Sequence, residues 1–432
     1  MEDLKLIASK VREALIKEGA QKAQYTAAEK ITHEFNVDGG EFSLFRTMFD
    51  NSLSLTAFKD NKKGTIAINK FDDGAIAAAA SDCIKSADSG IADSAYDIAP
   101  KQENAVFHEG AYEPDVDKFF ERTRELMADI KARHPKILME QMIVQHVKTH
   151  SLYQNTNGTE FETFKGNYMV ELMFSAHEGD ATTSFFGSYI NTASLDTPFI
   201  ELGSIEKDLT DVEAQLVTVP LSGKFEGVAV LTPSSLSEFL YSALNNFVTD
   251  NVILEKTSIW LDKLGKQVAD PRITIRFAPH DARVVCGERY TADGFLSEDY
   301  EIIKDGVLQS FMLNLYTANK TGYAHAPNSS FNIIMESGDT ALSDVISGIQ
   351  RGILVGRFSG GQPGTNGDFS GVAKNSFLIE DGKIVGAVSE TMISGNLADM
   401  LNNLVSVSKE TVSDGTSVLP YMAFGGFTVS GK

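Results

Sequence analysis

Cysteine is nearly absent. Cys83 and Cys286 are the two in 432 residues, neither belongs to a C-x-x-C pair, and about 200 residues separate them. That excludes a disulfide scaffold and a zinc-finger type of site, and it fits a reducing compartment. Positive charge is scarce as well: 38 Lys and Arg stand against 59 Asp and Glu, a formal charge of −21. So acidic a surface suits neither a phosphate backbone nor anionic lipid, and no nucleic acid or membrane partner is expected. Long apolar runs are missing. The most apolar stretch, Ala75–Ala80, is far short of the roughly 18 residues of a membrane span, and the acidic start Met1-Glu2-Asp3-Leu4 has no apolar signal core. A soluble, cytoplasmic protein is the expectation.

What is present is ordinary for a packed globular chain. Hydrophobic residues make up 42% and charged residues 22%, enough to bury a core without disulfide or metal. Leu4, Ile7, Ala8, Val11 and Leu15 form one apolar helical stripe that Gly19 stops. Strands are expected over 23–35, 42–49, 52–58 and 64–69, with Asp38-Gly39 as a hairpin turn. A helix from Asp72 to Ser86, a loop over 89–114 and a helix over 115–133 follow. Strands over 137–152, 159–174 and 182–190 come next, the first two joined by Asn157-Gly158 as a second primed turn. A short helix is expected over 206–216, a strand over 227–231 and a helix over 234–249. Beyond Asp262 the pattern is strand-rich, with two Asp-Gly hairpins over 300–308 and 376–384. The fold class is α+β: an antiparallel sheet with helices on one face in residues 1–215, then a β-rich domain over 216–432.

No spacing carries a reaction by itself. His177-Glu178 would need a second histidine at 181 for an HExxH zinc helix, and Ala181 is there. His146 and His150 share a strand face but lie about 13 Å apart at the usual rise, too far for one metal, so both are expected at the surface. The glycine-rich stretch over 360–367 lacks the GK[ST] ending of a phosphate loop. No G-x-S-x-G elbow occurs. His280, Asp281, Cys286 and Glu288 form a loose group whose spacing matches no standard metal site.

Several segments in order resemble the PmbA/TldD family, whose members are often labelled modulators of DNA gyrase. They are Lys62-Lys-Gly-Thr-Ile-Ala67, Asn155-Thr-Asn-Gly158, Leu264-Gly-Lys-Gln-Val-Ala-Asp-Pro271, Ile302-Ile-Lys-Asp-Gly-Val-Leu308, Arg351-Gly-Ile-Leu-Val355, Gly367-Asp-Phe-Ser370, Phe377-Leu-Ile-Glu-Asp-Gly-Lys-Ile384, Gly395-Asn-Leu397 and Val429-Ser-Gly-Lys432. Together they span nearly the whole chain. The resemblance implies a metallopeptidase fold in which one kind of subunit holds zinc. That subunit carries an HExxxH helix, with a glutamate between the histidines as general base, and a C-terminal cysteine. Imidazole and thiolate suit zinc, with one position open for water.

The matching helix here reads Leu236-Ser-Glu-Phe-Leu-Tyr-Ser242. Ser237 and Ser242 stand at the histidine positions, Glu238 stands at the general-base position, and the cysteine position falls near Asp414-Gly-Thr-Ser417. The resemblance therefore implies a PmbA-like (TldE-like) chain with no metal of its own. It would be the non-catalytic, zinc-free subunit of a cytoplasmic peptide-processing metalloprotease, in a dimer with a zinc-bearing TldD-like homologue or with itself. Two rivals stand beside it. One is a peptidase in its own right with a non-standard metal site, for instance His280 with Cys286. The other is a regulator bound to DNA gyrase, for which the acidic charge permits docking on a basic protein.

Overall fold

A computed structural model describes residues 3–389 and 391–431. Met1 and Glu2 of the acidic start, and the closing Lys432, lie outside the described residues. Asp3 caps α1 (Leu4–Lys17), its carboxylate accepting from the N–H groups of Lys5 and Leu6. The stripe Leu4, Ile7, Ala8, Val11 and Leu15 is buried as its spacing predicts. Then come β1 (Lys22–Asp38), β2 (Glu41–Lys59), β3 (Lys62–Ile68), α2 (Asp73–Ser89), β4 (Ala105–Gly110), α3 (Val116–Arg133), β5 (Ile137–Asn155), β6 (Glu160–Glu178), β7 (Ala181–Thr182), β8 (Phe186–Thr192) and α4 (Ile205–Ala214).

These strands make one sheet in the order β3-β2-β1-β5-β6, with β4 and β8 following each other along the outer edge of β6. Every pairing is antiparallel except β4 with β6. Alternation on β5 puts Met142 and Val144 under α3, and Leu152 under α1 and α2. Both helix groups thus lie on the same sheet face.

The structure corrects four local expectations. Residues 42–49 and 52–58 are one strand, because Asp50 and Asn51 stay paired with Lys30 and Glu29 at a solvent-exposed edge where polar residues cost nothing. The hairpin turn is Gly39-Gly40, both at positive φ (58° and 82°), since Asp38 already pairs with Glu41. At Asn157-Gly158 only the glycine has positive φ (91°), so the connection is a longer loop rather than a primed two-residue turn. The segment over 89–114 holds β4, whose partner lies some fifty residues on; a strand with a distant parallel partner leaves no turn signal beside it.

Neither histidine of β5 is at the surface. His146 is 0% exposed, its Nε2 2.7 Å from the Ala111 carbonyl, and burial holds its pKa below the usual value. His150 lies against the Phe164 ring with Nε2 3.0 Å from Glu162. Their neighbours on β6 and the 111–113 segment cover a face the strand pattern alone left open.

The second sheet is built around the strand Val418–Ser430. It pairs antiparallel with β9 (Lys224–Leu231), which runs parallel to Arg351–Val355. Both Asp-Gly hairpins form as expected, with Asp305-Gly306 at φ 48° and 75° and Asp381-Gly382 at 47° and 74°. The glycine-rich stretch is the connection between the strands Arg357–Gly360 and Asp368–Lys374. α5 (Pro233–Phe247) lays Leu236, Phe239, Leu240, Ala243, Leu244 and Phe247 into the largest core cluster.

The two sheets meet through the segment after Pro279. The Tyr290 ring stacks on Phe161 at 4.7 Å and lies 5.5 Å from Tyr153. Arg289 grips the Glu109 carboxylate with two bonds of 2.7 Å. Gly294, at φ 89°, approaches so closely that a Cβ there would lie 2.0 Å from the Tyr153 hydroxyl.

Candidate active-site cavity

Thr232 caps α5, its hydroxyl accepting from the Ser235 N–H, and Pro233 supplies a φ already suited to the first turn. With the apolar stripe turned to the core, the opposite face shows Ser234, Ser237, Glu238 and Tyr241, at i, i+3, i+4 and i+7. α4 does the same from the N-terminal half with Asp208, Asp211, Val212 and, just past its end, Gln215. The two faces line one cavity of about 440 Å³ between the sheets. β8 contributes Tyr189, and the strand pair over 412–421 adds Asp414, Ser417 and Tyr421.

The cavity is acidic. Asp208 accepts from the Ser188 hydroxyl at 2.6 Å and the Ser204 hydroxyl at 2.8 Å, yet burial raises its carboxyl pKa to about 7. Burial also raises Asp211, which Lys207 holds at 2.7 Å from the solvent side. Glu238 is raised by burial too, against a hydrogen bond from the Phe358 N–H and the positive charge of Arg357. Arg357 lies with its guanidinium 4.5 Å from the Phe185 ring centroid and its Nε 3.4 Å from the Asn375 side-chain oxygen. Asp414 is tied into its own turn by the Thr416 and Ser417 N–H groups at 2.7 Å each. Tyr189 and Tyr421 are raised first by burial and then by neighbouring carboxylates.

Of the residues singled out in the sequence, Ser237 and Glu238 line this cavity, and Asp414 and Ser417 stand in its wall. Ser242 does not line it: one position past Tyr241, it has rotated about 100° off the cavity face of α5. His280, Asp281, Cys286 and Glu288 are not brought together as ligands. The Asp281 carboxylate is engaged by Arg283, the Cys286 thiol lies 3.5 Å from the Gly166 carbonyl, and Glu288 accepts from Ser297 and Ser329. Asp208, Asp211, Gln215, Tyr189 and Tyr421 were not indicated by the sequence reading. The spacing 208, 211, 215 on a helix was the available signal.

A zinc ion fits this donor set poorly. Among the described lining residues there is no histidine or cysteine, and among the described residues no three His, Cys, Asp or Glu side chains stand in a metal-holding group. Each cavity carboxylate already has a hydrogen-bond or charge partner, and serine hydroxyls are weak zinc ligands beside imidazole and thiolate.

The fold is a two-sheet α+β architecture with an acidic cavity where the sheets meet. Residues 225–431 match the PmbA/TldA metallopeptidase C-terminal domain, in line with the PmbA/TldD resemblance. It is 25% identical over 410 residues to metalloprotease PmbA of Escherichia coli O157:H7, covering 87% of this chain and 86% of that one. TldE of Thermococcus kodakarensis has the same fold, with a TM-score of 0.86 at 18% identity, over 98% of this chain and 100% of that one. A Bacteroides thetaiotaomicron protein described as a candidate modulator of DNA gyrase gives 0.88 at 23% identity, with 100% of each chain covered. Among the described residues no helix is long and apolar enough to cross a membrane.

Proposed function

We propose that this chain is the zinc-free, non-catalytic subunit of a cytoplasmic metalloprotease that processes peptides. It works in a dimer beside a zinc-bearing homologue or a second copy of itself and supplies part of the chamber wall. The observation that carries the reading is the chemistry of the α5 wall. Ser237 and Glu238 face the cavity, with Asp414 and Ser417 opposite, where a zinc-bearing relative would need imidazole and thiolate. Two free, widely separated cysteines agree with a reducing compartment.

The test is zinc per chain, by elemental analysis of protein purified without added metal or chelator. Well below one equivalent is expected, with peptide cleavage gained only on addition of the zinc-bearing homologue. One tightly held equivalent, or cleavage by the isolated chain, overturns the reading.

A further inference from the structure

Gln215 gives the cavity a second requirement besides its acidity. Its side chain is 7% exposed and lines the cavity, and its amide Nε2 is enclosed with no hydrogen-bond partner. A buried amide donor left unpaired is costly, so the site is incomplete until an acceptor arrives. The walls around it carry Asp208, Asp211, Glu238 and Asp414, and among the described lining residues there is no Lys, Arg or His. Lys207 engages Asp211, and Arg357 acts on Glu238 from outside the lining set. Asp208 and Asp414, by contrast, have no ion-pair partner among the described residues, their bonds coming from hydroxyl and backbone donors.

These two requirements select a ligand by elimination. A bare cation would answer the carboxylates and leave the Gln215 donor unpaired. An anion would answer Gln215 and face four carboxyl groups. A neutral carbonyl compound would answer Gln215 alone. A group that joins an ammonium to a neighbouring carbonyl answers both, and the amino terminus of a peptide is such a group. Tyr189, Tyr241 and Tyr421 also line it, and aromatic rings are compatible with an ammonium ligand. The volume of about 440 Å³ falls within the usual range of small-ligand sites.

We propose that the cavity is a binding subsite for the free amino terminus of a peptide, with Asp208 and Glu238 on either side of the ammonium and the Gln215 amide donating to the first carbonyl. The choice of a peptide rests on the subunit reading above; the charge and donor requirements do not.

The test is calorimetric titration of the isolated full chain at pH 8 with four tripeptides: Ala-Ala-Ala, acetyl-Ala-Ala-Ala, acetyl-Lys-Ala-Ala and acetyl-Glu-Ala-Ala. Ala-Ala-Ala is expected to bind at least tenfold more tightly than any acetylated peptide. Asp208→Asn and Gln215→Leu are each expected to weaken it about tenfold, the loss of one charge-assisted or buried bond, with no fall in melting temperature at that pH. If Asp208→Asn does not fold, Glu238→Gln on the facing wall gives the same reading. Equal binding of Ala-Ala-Ala and its acetylated form overturns the proposal, as does no binding of Ala-Ala-Ala. Acetyl-Lys-Ala-Ala binding as tightly as Ala-Ala-Ala overturns the assignment to a chain terminus. Zinc content is measured separately, so failure here leaves the subunit reading standing, and a bound zinc equivalent leaves this titration interpretable.

Discussion

β1 stays in register with β5 from Gln24 opposite Asn155 to Asp38 opposite Gln141, and β2 follows β1 through a two-residue turn. The strand Val418–Ser430 instead collects partners from 224–231, 333–334, 391–396 and 404–413. The N-terminal sheet is a few long ladders drawn mostly from neighbouring chain, and the C-terminal sheet is many short ones, local hairpins among them, whose central strand reaches back about 200 residues to β9. Loop closure must be met before distant pairing is rewarded, so the second sheet is the slower one to assemble. The cavity lies where the two kinds of sheet meet, with one helix from each.

That contrast can be broken experimentally. The largest effects are expected from Phe119→Ala on the buried face of α3 and Phe247→Ala, whose ring lies 4.7 Å from Trp260; both side chains are 0% exposed. Each should cost about 3–5 kcal/mol in urea unfolding. If the Tyr153, Phe161 and Tyr290 contacts couple the halves, both variants lower one common transition. Two transitions, each moved by only one variant, would separate the sheets into independent units.

Next is Arg289→Ala, which strips both charge-assisted bonds from Glu109 across the sheet junction. A loss of about 2–3 kcal/mol is expected. A double-mutant cycle with Glu109→Ala checks it, and a coupling near zero would remove the pair from the account.

The third contrast is a pH slope. The folded pKa of Asp208, about 7, lies above its ordinary 3.8. Between those values this group binds more protons in the native state than in the unfolded chain, so its contribution to stability is greatest below about pH 4, falls as pH rises to about 7, and is level beyond. With allowance for solvent reaching the carboxyl, the fall is about 2 kcal/mol. Asp208→Asn should abolish it. Urea midpoints at pH 5 and pH 8 that change equally in the two proteins would contradict the burial of this group.

The smallest is Thr232→Ala at the start of α5, at about 1 kcal/mol for a lost cap. A thermal melt reads it, and a loss as large as that of Phe247→Ala would mean that the cap positions more than the helix end.

The same division decided what could be read from sequence. The helix stripe 4, 7, 8, 11, 15 and the turns Asp305-Gly306 and Asp381-Gly382 are local patterns, and the chain obeys them. β4 escaped because its partner is remote, and His146 was misplaced because its cover comes from residues 111–113 and Tyr168. Half of the cavity was legible: α5 shows Ser237 and Glu238 through the family-like helix. The α4 wall was not, because the spacing 208, 211, 215 marks a polar helix face without announcing the distant helix that faces it. Ser242 shows the limit of motif matching, since the helix turn carries it off the cavity face.

The long ladders of the N-terminal sheet have one more consequence, for how such a chain can change over generations. β1 is held on both sides, by β2 and by β5, with Tyr25 and Ala27 toward α1 and α2 and Phe35 and Val37 toward α3. Because strand faces alternate, one residue inserted near Ala28 would turn one of those pairs outward and throw two neighbouring ladders out of step. Substitutions can accumulate along these strands, but insertions and deletions have room only in the connections. Length, more than residue identity, is what this half of the molecule must inherit unchanged.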